Sequence, residues 1–326
     1  MSVVAAGEAL VRLEQVRKHF PVPGLLPWSS PRGQVRAVDG VSLAIRPHET
    51  LSVVGESGCG KTTMARLVLR LEEPTAGRIL FQGEDLRALR GPMLRRYRAS
   101  IQAVFQDPWS SLNPRMRAAI IIAEPIVLNQ RPGRRELAER VEELLLAVGL
   151  EPSAATSFPH EFSGGMRQRL AVARALALRP SLIVLDEPVS ALDVSIRAQI
   201  MNLLRDLQAQ FGMAYLLIAH DLATVRYLSD HVAVMYLGQV VERGPAEEIF
   251  TKALHPYTRA LLSAALPPRP GEREETLLQG EPPSPISPPA GCRFHPRCPL
   301  AFDRCRQEPP PLTEQAPGHL VACHLY

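Results

Sequence analysis

Residues 55–63 have the sequence Gly55-Glu56-Ser57-Gly58-Cys59-Gly60-Lys61-Thr62-Thr63, and this stretch decides the fold. It fits the phosphate-binding pattern G-x-x-x-x-G-K-[ST], in which glycines let backbone N–H groups turn toward phosphate oxygens without Cβ clashes. Lys61 can reach the β- and γ-phosphates of a nucleotide, and the Thr62 hydroxyl can hold Mg²⁺. The pattern predicts that all nine residues contribute to a nucleotide site.

The sequence on either side of this loop supports the interpretation. Before it, Thr50-Leu-Ser-Val-Val54 predicts a short buried strand, and after it the apolar residues of 61–71 fall on one face of a helix. A strand, a glycine loop and a helix place a bound anion at the helix N-terminus, where the helix dipole favours it. A chance glycine turn is the alternative, and these flanking elements argue against it.

A second buried strand is predicted at Ser181-Leu-Ile-Val-Leu185, which is followed at once by Asp186 and Glu187. In a doubly wound sheet, ligands bind at the carboxyl ends of the strands, so these acids are expected beside the phosphate loop. Asp186 is predicted to hold Mg²⁺, and Glu187 to act as general base on the attacking water. A solvated acidic turn is the weaker alternative, because the apolar strand is adjacent.

Two glycines open a predicted helix in the stretch Phe162-Ser-Gly-Gly-Met-Arg-Gln-Arg169. Such a helix start presents free N–H groups and a positive dipole end, although an ordinary helix start explains these residues equally well. Upstream, residues 134–149 predict an amphipathic helix whose charged side chains form a solvated face.

Composition limits the classes of function. The net charge of +4 over 326 residues is mild and gives no reason to expect a nucleic-acid partner. No apolar run approaches the roughly 18 residues that a membrane span requires. The first residues also lack the charged start and apolar block of a secretory signal, so a cytoplasmic location is expected.

The composition changes after Leu266. Residues 267–326 contain 14 of the 31 prolines and four of the five cysteines. Residues 267–290 are too rich in proline for a helix or a central strand and predict a linker. The chain is therefore predicted to consist of a domain over 1–265 and a small cysteine-rich extension over 266–326.

The four cysteines of the extension have the spacing C-x5-C-x6-C-x17-C. In a cytoplasmic protein, clustered cysteines favour a metal over disulfides. Four thiolates suit tetrahedral zinc and an iron–sulfur cluster equally well, and the residues alone leave both possibilities open. The predicted ligands are Cys292, Cys298, Cys305 and Cys323.

Taken together, the motifs resemble the ATP-binding cassette ATPases over about residues 8–265. The resemblance implies an α/β fold: a P-loop NTPase core with a mixed sheet, an antiparallel β subdomain, and a helical signature subdomain over about 88–178. It also implies ATP and Mg²⁺ as cofactors. It makes Ser163, Gly164 and Gly165 the signature motif, which contacts the γ-phosphate of ATP held by the opposite subunit.

The same resemblance assigns roles to four further residues. Gln106, in Val104-Phe-Gln-Asp-Pro108, matches the glutamine loop, which the resemblance implies is both catalytic and a further Mg²⁺ ligand. Asp193 ends the loop that crosses the dimer interface, His220 matches the switch histidine, and Phe20 stands where the family stacks an aromatic ring on adenine. Met166 departs from the usual glutamine of the signature motif, so a side-chain hydrogen bond to the nucleotide should be missing there.

Longer stretches narrow the resemblance to the ATPases of oligopeptide and dipeptide importers, closest to the second ATPase of each pair. They are residues 105–115, 159–163, 187–195 and 255–261. The resemblance implies an ATPase, peripheral at the cytoplasmic face of the cell membrane, that powers import through two permease subunits beside a second ATPase. An extracytoplasmic binding protein would deliver the cargo, which the resemblance implies is an oligopeptide or a dipeptide. Related importers of the same family carry nickel or short sugars. The resemblance also favours a [4Fe-4S] cluster over zinc in the extension.

Two other classes are less compatible with the sequence. Soluble cassette ATPases that act on ribosomes or DNA usually carry two cassettes or a long coiled coil, and this chain has one phosphate loop and no sustained heptads. A regulatory subunit without hydrolytic activity should have lost the phosphate loop or Glu187, and both are present.

Overall fold

The computed structural model describes residues 9–24, 33–190, 192–265 and 280–326. Its strands are β1 (Val11–Val22), β2 (Gly33–Ile45), β3 (Thr50–Val54), β4 (Ala76–Phe81), β5 (Glu84–Asp85), β6 (Ile101–Val104), β7 (Leu182–Asp186), β8 (Ala214–Ile218), β9 (His231–Tyr236), β10 (Gln239–Pro245), β11 (Thr313–Ala316) and β12 (His319–Val321). Its helices are α1 (Lys61–Val68), α2 (Gly91–Ser100), α3 (Pro108–Ser111), α4 (Ala118–Gln130), α5 (Arg134–Ala147), α6 (Gly164–Leu176), α7 (Val194–Phe211), α8 (Leu222–Leu228), α9 (Ala246–Thr251), α10 (Pro256–Ala265) and α11 (Asp303–Gln307).

The chain divides into two compact units. Unit 1 contains the described residues within 1–45, 50–87 and 218–326, and unit 2 contains those within 46–49 and 88–217. The phosphate loop therefore belongs to unit 1, and the signature motif to unit 2. Most of the predicted linker, residues 266–279, lies outside the described part of the chain.

Unit 1 contains two kinds of sheet. The first is antiparallel with the order β2-β1-β4-β5, and Val11 of β1 stands opposite Ile45 on one side and Phe81 on the other. The second has the order β11-β12-β10-β9-β3, in which β3 and β9 run parallel and the other pairs antiparallel. All five residues of β3 are buried, as expected for a strand that is covered on both faces. The predicted mixed sheet and antiparallel β subdomain are confirmed.

The C-terminal residues are built into unit 1. Strand β12 pairs with β10, so that Val321 stands opposite Glu242. The buried His319 ring lies 2.8 Å from a Glu242 carboxylate oxygen and 3.1 Å from one of Glu248. Strand pairing and these polar contacts, rather than bonds between cysteines, attach this segment to the rest of the unit.

Unit 2 combines parallel strands with the predicted helices. Its strands have the order β8-β7-β6, and Ile101 and Val104 of β6 align with Leu182 and Leu185 of β7. Helix α5 buries Val141, Leu144 and Leu145 and leaves its glutamates exposed, as the amphipathic pattern predicts, while Leu146 on the same helix is also exposed. The 18-residue helix α7 ends at Gly212, whose positive φ of 70° suits a glycine.

Candidate functional site

The phosphate loop connects β3 to α1 in unit 1, and its two outer glycines are required by the space around them. Gly55 and Gly60 have φ values of 149° and 108°, which other residues rarely adopt. A Cβ on Gly55 would lie 2.2 Å from the Met235 carbonyl oxygen, and one on Gly60 would lie 2.0 Å from the Ala37 carbonyl oxygen. The loop therefore runs so close to neighbouring backbone that only glycine fits at either end.

Lys61 is buried inside this loop. Its ammonium group donates to the Gly55 carbonyl at 2.7 Å and to the Glu56 carbonyl at 3.0 Å. Cys59 is buried beside it, and burial raises the pKa of its thiol. Ser57, Gly58 and Thr62 are exposed, and Thr63 is half-buried. The arrangement places a cation beneath an open glycine turn at the start of a helix, which suits a bound phosphate group.

Two other predicted site residues also lie in unit 1. Phe20 is half-buried on β1, where it stands opposite Val35 and has the Lys18 ammonium 4.9 Å from its ring centroid. His220 is exposed directly after β8. The next residue, Asp221, caps α8 by accepting from the Ala223 N–H at 3.1 Å, and this cap sets where the strand ends and the helix begins.

In unit 2, Asp186 is the last residue of β7, one residue beyond the predicted strand end at Leu185, and Glu187 follows it. Glu187 has a φ of 50°, in the left-handed region that is strained for a residue with a side chain. Ser190 stabilises this backbone conformation, because its N–H and its hydroxyl both donate to the Glu187 carbonyl, at 3.3 and 3.1 Å. The Glu187 carboxylate accepts a hydrogen bond of 2.8 Å from the Gln106 side-chain amide. The structure therefore brings these two predicted catalytic residues into direct contact.

The signature residues begin α6. The Ser163 hydroxyl caps the helix by accepting from the Met166 N–H at 3.3 Å. Gly164 is exposed, and Gly165 is buried so closely against α7 that a Cβ there would lie 2.6 Å from Ile196 Cγ2. Asp193 is exposed at the start of α7. Sequence reasoning identified these glycines, but not the close packing that explains the second one.

Sequence reasoning missed a contact between α3 and α6. The Arg167 guanidinium lies 3.9 Å from the centroid of the half-exposed Trp109 ring, and its Nε donates to the Pro159 carbonyl at 2.9 Å. Arg174, about two turns further along α6, donates to the Ser111 carbonyl. Burial lowers the pKa of Arg174. The exposed segment after Gln106 is thus attached to the helix that carries the signature motif.

The structure does not support the metal cluster predicted at the four C-terminal cysteines. The four cysteines of the C-terminal segment line one cavity of about 10 Å³, which has room for about one water. Burial raises the pKa of Cys292 to about 11 and also raises the pKa values of Cys298 and Cys323. Across the described ranges, no group of three or more His, Cys, Asp or Glu could hold a metal ion. The predicted iron–sulfur cluster is therefore wrong, and the zinc alternative finds no site here either.

Within the part of the chain that the structure describes, every helix is too short or too polar to cross a bilayer.

Comparison with known proteins agrees with this geometry. Residues 38–190 match the family model described as ABC transporter, and residues 241–305 match the one described as oligopeptide/dipeptide transporter, C-terminal region. The chain is 53% identical to a probable peptide ABC transporter ATP-binding protein of Sinorhizobium fredii over 98% of this chain and 90% of the relative. It is 51% identical to the oligopeptide transport ATP-binding protein AppF of Bacillus subtilis over 98% of each chain.

Solved structures lead to the same family. The dimeric, post-hydrolysis structure of the ATP-binding cassette MJ0796 with ADP and Pi is 29% identical, with a TM-score of 0.63 over 72% of this chain and 98% of that chain. The structure of cbiO1 from Clostridium perfringens is 27% identical, with a TM-score of 0.65 over 75% of this chain and 92% of that one. The chain belongs to the ATP-binding cassette ATPases, in the family of the ATP-binding subunits of oligopeptide and dipeptide transporters.

Proposed function

We propose that this chain is the ATP-hydrolysing subunit that powers import of oligopeptides or dipeptides through a membrane permease. The observation that carries the proposal is the glycine-bounded loop with Lys61 buried inside it. The peptide class is supported by relatives named for oligopeptide and for di/tripeptide transport. The family match over residues 241–305 supports it independently of the loop.

Unit 1 supplies the groups that would bind the nucleotide. Lys61 would exchange its carbonyl partners for the β- and γ-phosphates, and the N–H groups of residues 57–63 would face the phosphate oxygens. The Phe20 ring would stack on adenine. His220, exposed after β8, could donate an imidazole N–H to a phosphate oxygen, the role of a switch histidine.

Unit 2 supplies the base. Glu187 would take a proton from the attacking water, and the hydrogen bond from Gln106 would hold its carboxylate in one orientation. The Ser190 contacts to the Glu187 carbonyl would fix the strained backbone on which that carboxylate stands.

Each unit carries oxygen donors of the kind that Mg²⁺ prefers. Unit 1 has the Thr62 hydroxyl, and unit 2 has the Asp186 carboxylate and the Gln106 side-chain carbonyl. Mg²⁺, when bound, would neutralise charge on the phosphates.

We further propose that the working form contains a second, homologous ATPase subunit. Ser163 and the backbone N–H groups of Gly164 and Gly165 would then contact the γ-phosphate of ATP held by that subunit, and Asp193 would lie in the interface. Since the Met166 N–H is already bonded to the Ser163 hydroxyl and its side chain has no hydrogen-bonding group, Met166 would contribute no hydrogen bond to the nucleotide.

The permease contact would lie in the segment that follows Gln106. Trp109 offers a half-exposed aromatic ring there, and its stacking on Arg167 links the segment to the signature helix. A cytoplasmic helix of a permease that pressed on Trp109 would therefore act on α6 directly. This arrangement would place the chain, peripherally, at the cytoplasmic face of the cell membrane, with an extracytoplasmic binding protein delivering the cargo.

Purification of the tagged chain from its native membrane tests the proposal. Two multi-span permease subunits and a second, similar ATPase should be recovered with it, and the binding protein encoded with them should bind peptides. Recovery of the chain alone, or with ribosomes, would overturn the importer assignment. Recovery with a binding protein that takes nickel or short sugars would overturn the peptide assignment only.

A further inference from the structure

The phosphate loop is bound by the C-terminal segment of the same unit. The Arg297 guanidinium makes two parallel hydrogen bonds to the Glu56 carboxylate, from Nη1 to Oε2 at 2.7 Å and from Nη2 to Oε1 at 2.9 Å. Arg297 has only 5% of its side chain exposed, whereas Glu56 has 24%. Bidentate pairs of this kind fix direction as well as distance. The second residue of the loop is therefore oriented by a residue 241 positions further along the chain.

Glu56 is also held through its backbone. Its N–H donates to the Tyr257 hydroxyl at 2.8 Å, and burial raises the pKa of that phenol, so it stays neutral. The Glu56 carbonyl accepts from Lys61 at 3.0 Å and from the Cys59 N–H at 3.3 Å. Every polar group of Glu56 thus has a partner, and the same residue contacts Arg297 on one side and the phosphate-binding lysine on the other.

The segment that carries Arg297 is itself fixed to the unit. The Phe294 ring is 1% exposed and packs 5.3 Å from the Tyr236 ring and 5.4 Å from the Tyr257 ring, measured between centroids. The Arg293 guanidinium donates to the Leu237 carbonyl and to the Asp39 carboxylate. The position of Arg297 is therefore fixed, because the residues next to it in sequence pack in the core of unit 1.

We propose that Arg297, acting through Glu56, is a positioning residue that preorganises the phosphate loop for nucleotide. The inference rests on the proposed function, since it deepens the role of the same loop. The glycine conformations at residues 55 and 60 are costly to order, and a loop that is held in shape before ATP arrives loses less freedom on binding. The C-terminal segment thereby sets the affinity of the phosphate loop for nucleotide without contacting the nucleotide itself.

The test compares three variants of the full chain, each assembled in its transporter complex. Arg297→Ala removes the pair, and Arg297→Lys keeps the charge without the bidentate geometry. Arg304→Ala, the control, removes an exposed ion pair with Glu308 at the end of α11. The KM for ATP should rise about tenfold in Arg297→Ala, which corresponds to about 1.4 kcal/mol, and by less in Arg297→Lys. It should stay unchanged in Arg304→Ala, and kcat should change less than twofold in all three.

Glu56→Gln provides the second measurement. If Arg297 acts through this carboxylate, the double variant Glu56→Gln/Arg297→Ala should be no weaker in binding a fluorescent Mg·ATP analogue than the weaker single variant. Additive losses, or an unchanged KM in Arg297→Ala, would overturn the proposal.

If Arg297→Ala fails to fold, Arg297→Lys and Tyr257→Phe decide instead, since each keeps most of the packing and should raise KM by a few-fold. A wild-type complex without ATPase activity would refute the proposed function, whereas an active wild type with an insensitive Arg297→Ala refutes only this inference.

Discussion

The second glycine of the signature motif allows a sharp test of the packing between α6 and α7. A Cβ on Gly165 would lie 2.6 Å from Ile196 Cγ2, and one on Gly164 would lie 3.6 Å from Leu192 Cδ2. The first distance is a clash with a β-branched side chain, and the second is ordinary van der Waals contact. We therefore expect Gly165→Ala to destabilise the protein and its neighbour Gly164→Ala to leave it as stable or more stable.

The expected change in the free energy of unfolding is the balance of two opposing contributions. Overpacking a close contact typically costs about 1–3 kcal/mol, whereas replacing a helical glycine by alanine gains about 0.5–1 kcal/mol. Gly165→Ala should thus lower the free energy of unfolding by about 0.5–2 kcal/mol, and Gly164→Ala should raise it by up to about 1 kcal/mol. Urea unfolding of the two variants and the wild type, followed by circular dichroism, measures both values.

Ile196→Ala identifies the contact responsible. It removes Cγ2, so Gly165→Ala should cost less in that background than in the wild type, with a coupling free energy of about 1 kcal/mol. Two results would refute the reasoning: equal effects of the two glycine substitutions, or additivity of Gly165→Ala and Ile196→Ala to within about 0.5 kcal/mol.

Two further predictions concern other parts of the molecule. Burial, aided by the Arg259 charge, lowers the pKa of His255 to about 3. The unfolded chain therefore binds a proton below about pH 6.5 that the folded chain does not, and the free energy of unfolding should fall by up to about 1.4 kcal/mol per pH unit below that value. His255→Asn, which can still accept from the Tyr257 N–H, should flatten this slope between pH 6.5 and 5, and an unchanged slope would show that His255 is not responsible. Trp109→Ala should weaken recovery of the permease subunits and abolish substrate-stimulated hydrolysis while the chain stays folded; unchanged assembly and stimulation would place the permease contact elsewhere.

Much of the site could be predicted because it depends on local sequence. The loop, the strand β3 that precedes it and the two acids at the end of β7 are each specified by a few consecutive residues. Helix α1 ends at Val68, three residues earlier than its apolar pattern suggests, and Arg70 then adopts a positive φ of 54°. The residue at which a helix ends depends on the path that the chain takes after the helix. A periodic pattern of apolar residues carries no information about that path.

The rest depends on residues that are distant in sequence. Nothing in the pattern around Arg297 indicates that its partner is Glu56, because the two are joined only by the fold of unit 1. The metal cluster predicted from the cysteine spacing was wrong for the same reason. The spacing shows that four thiols are present but not how much space lies between them, and the cavity that they line has room for about one water. The strained backbone at Glu187 likewise has no sequence signal, since glutamate seldom adopts a positive φ.

We propose that Glu187 is the general base of ATP hydrolysis by this chain. The most direct measurement is phosphate release at saturating ATP from the complex that contains the wild-type chain or Glu187→Gln, with ATP binding measured in parallel. Glutamine keeps the size of the side chain and can still accept the hydrogen bond from Gln106, so only the basic group is lost. ATP binding should be unchanged in Glu187→Gln, and turnover should be about 10²–10⁴-fold lower. Turnover near the wild-type rate in Glu187→Gln would contradict the proposal.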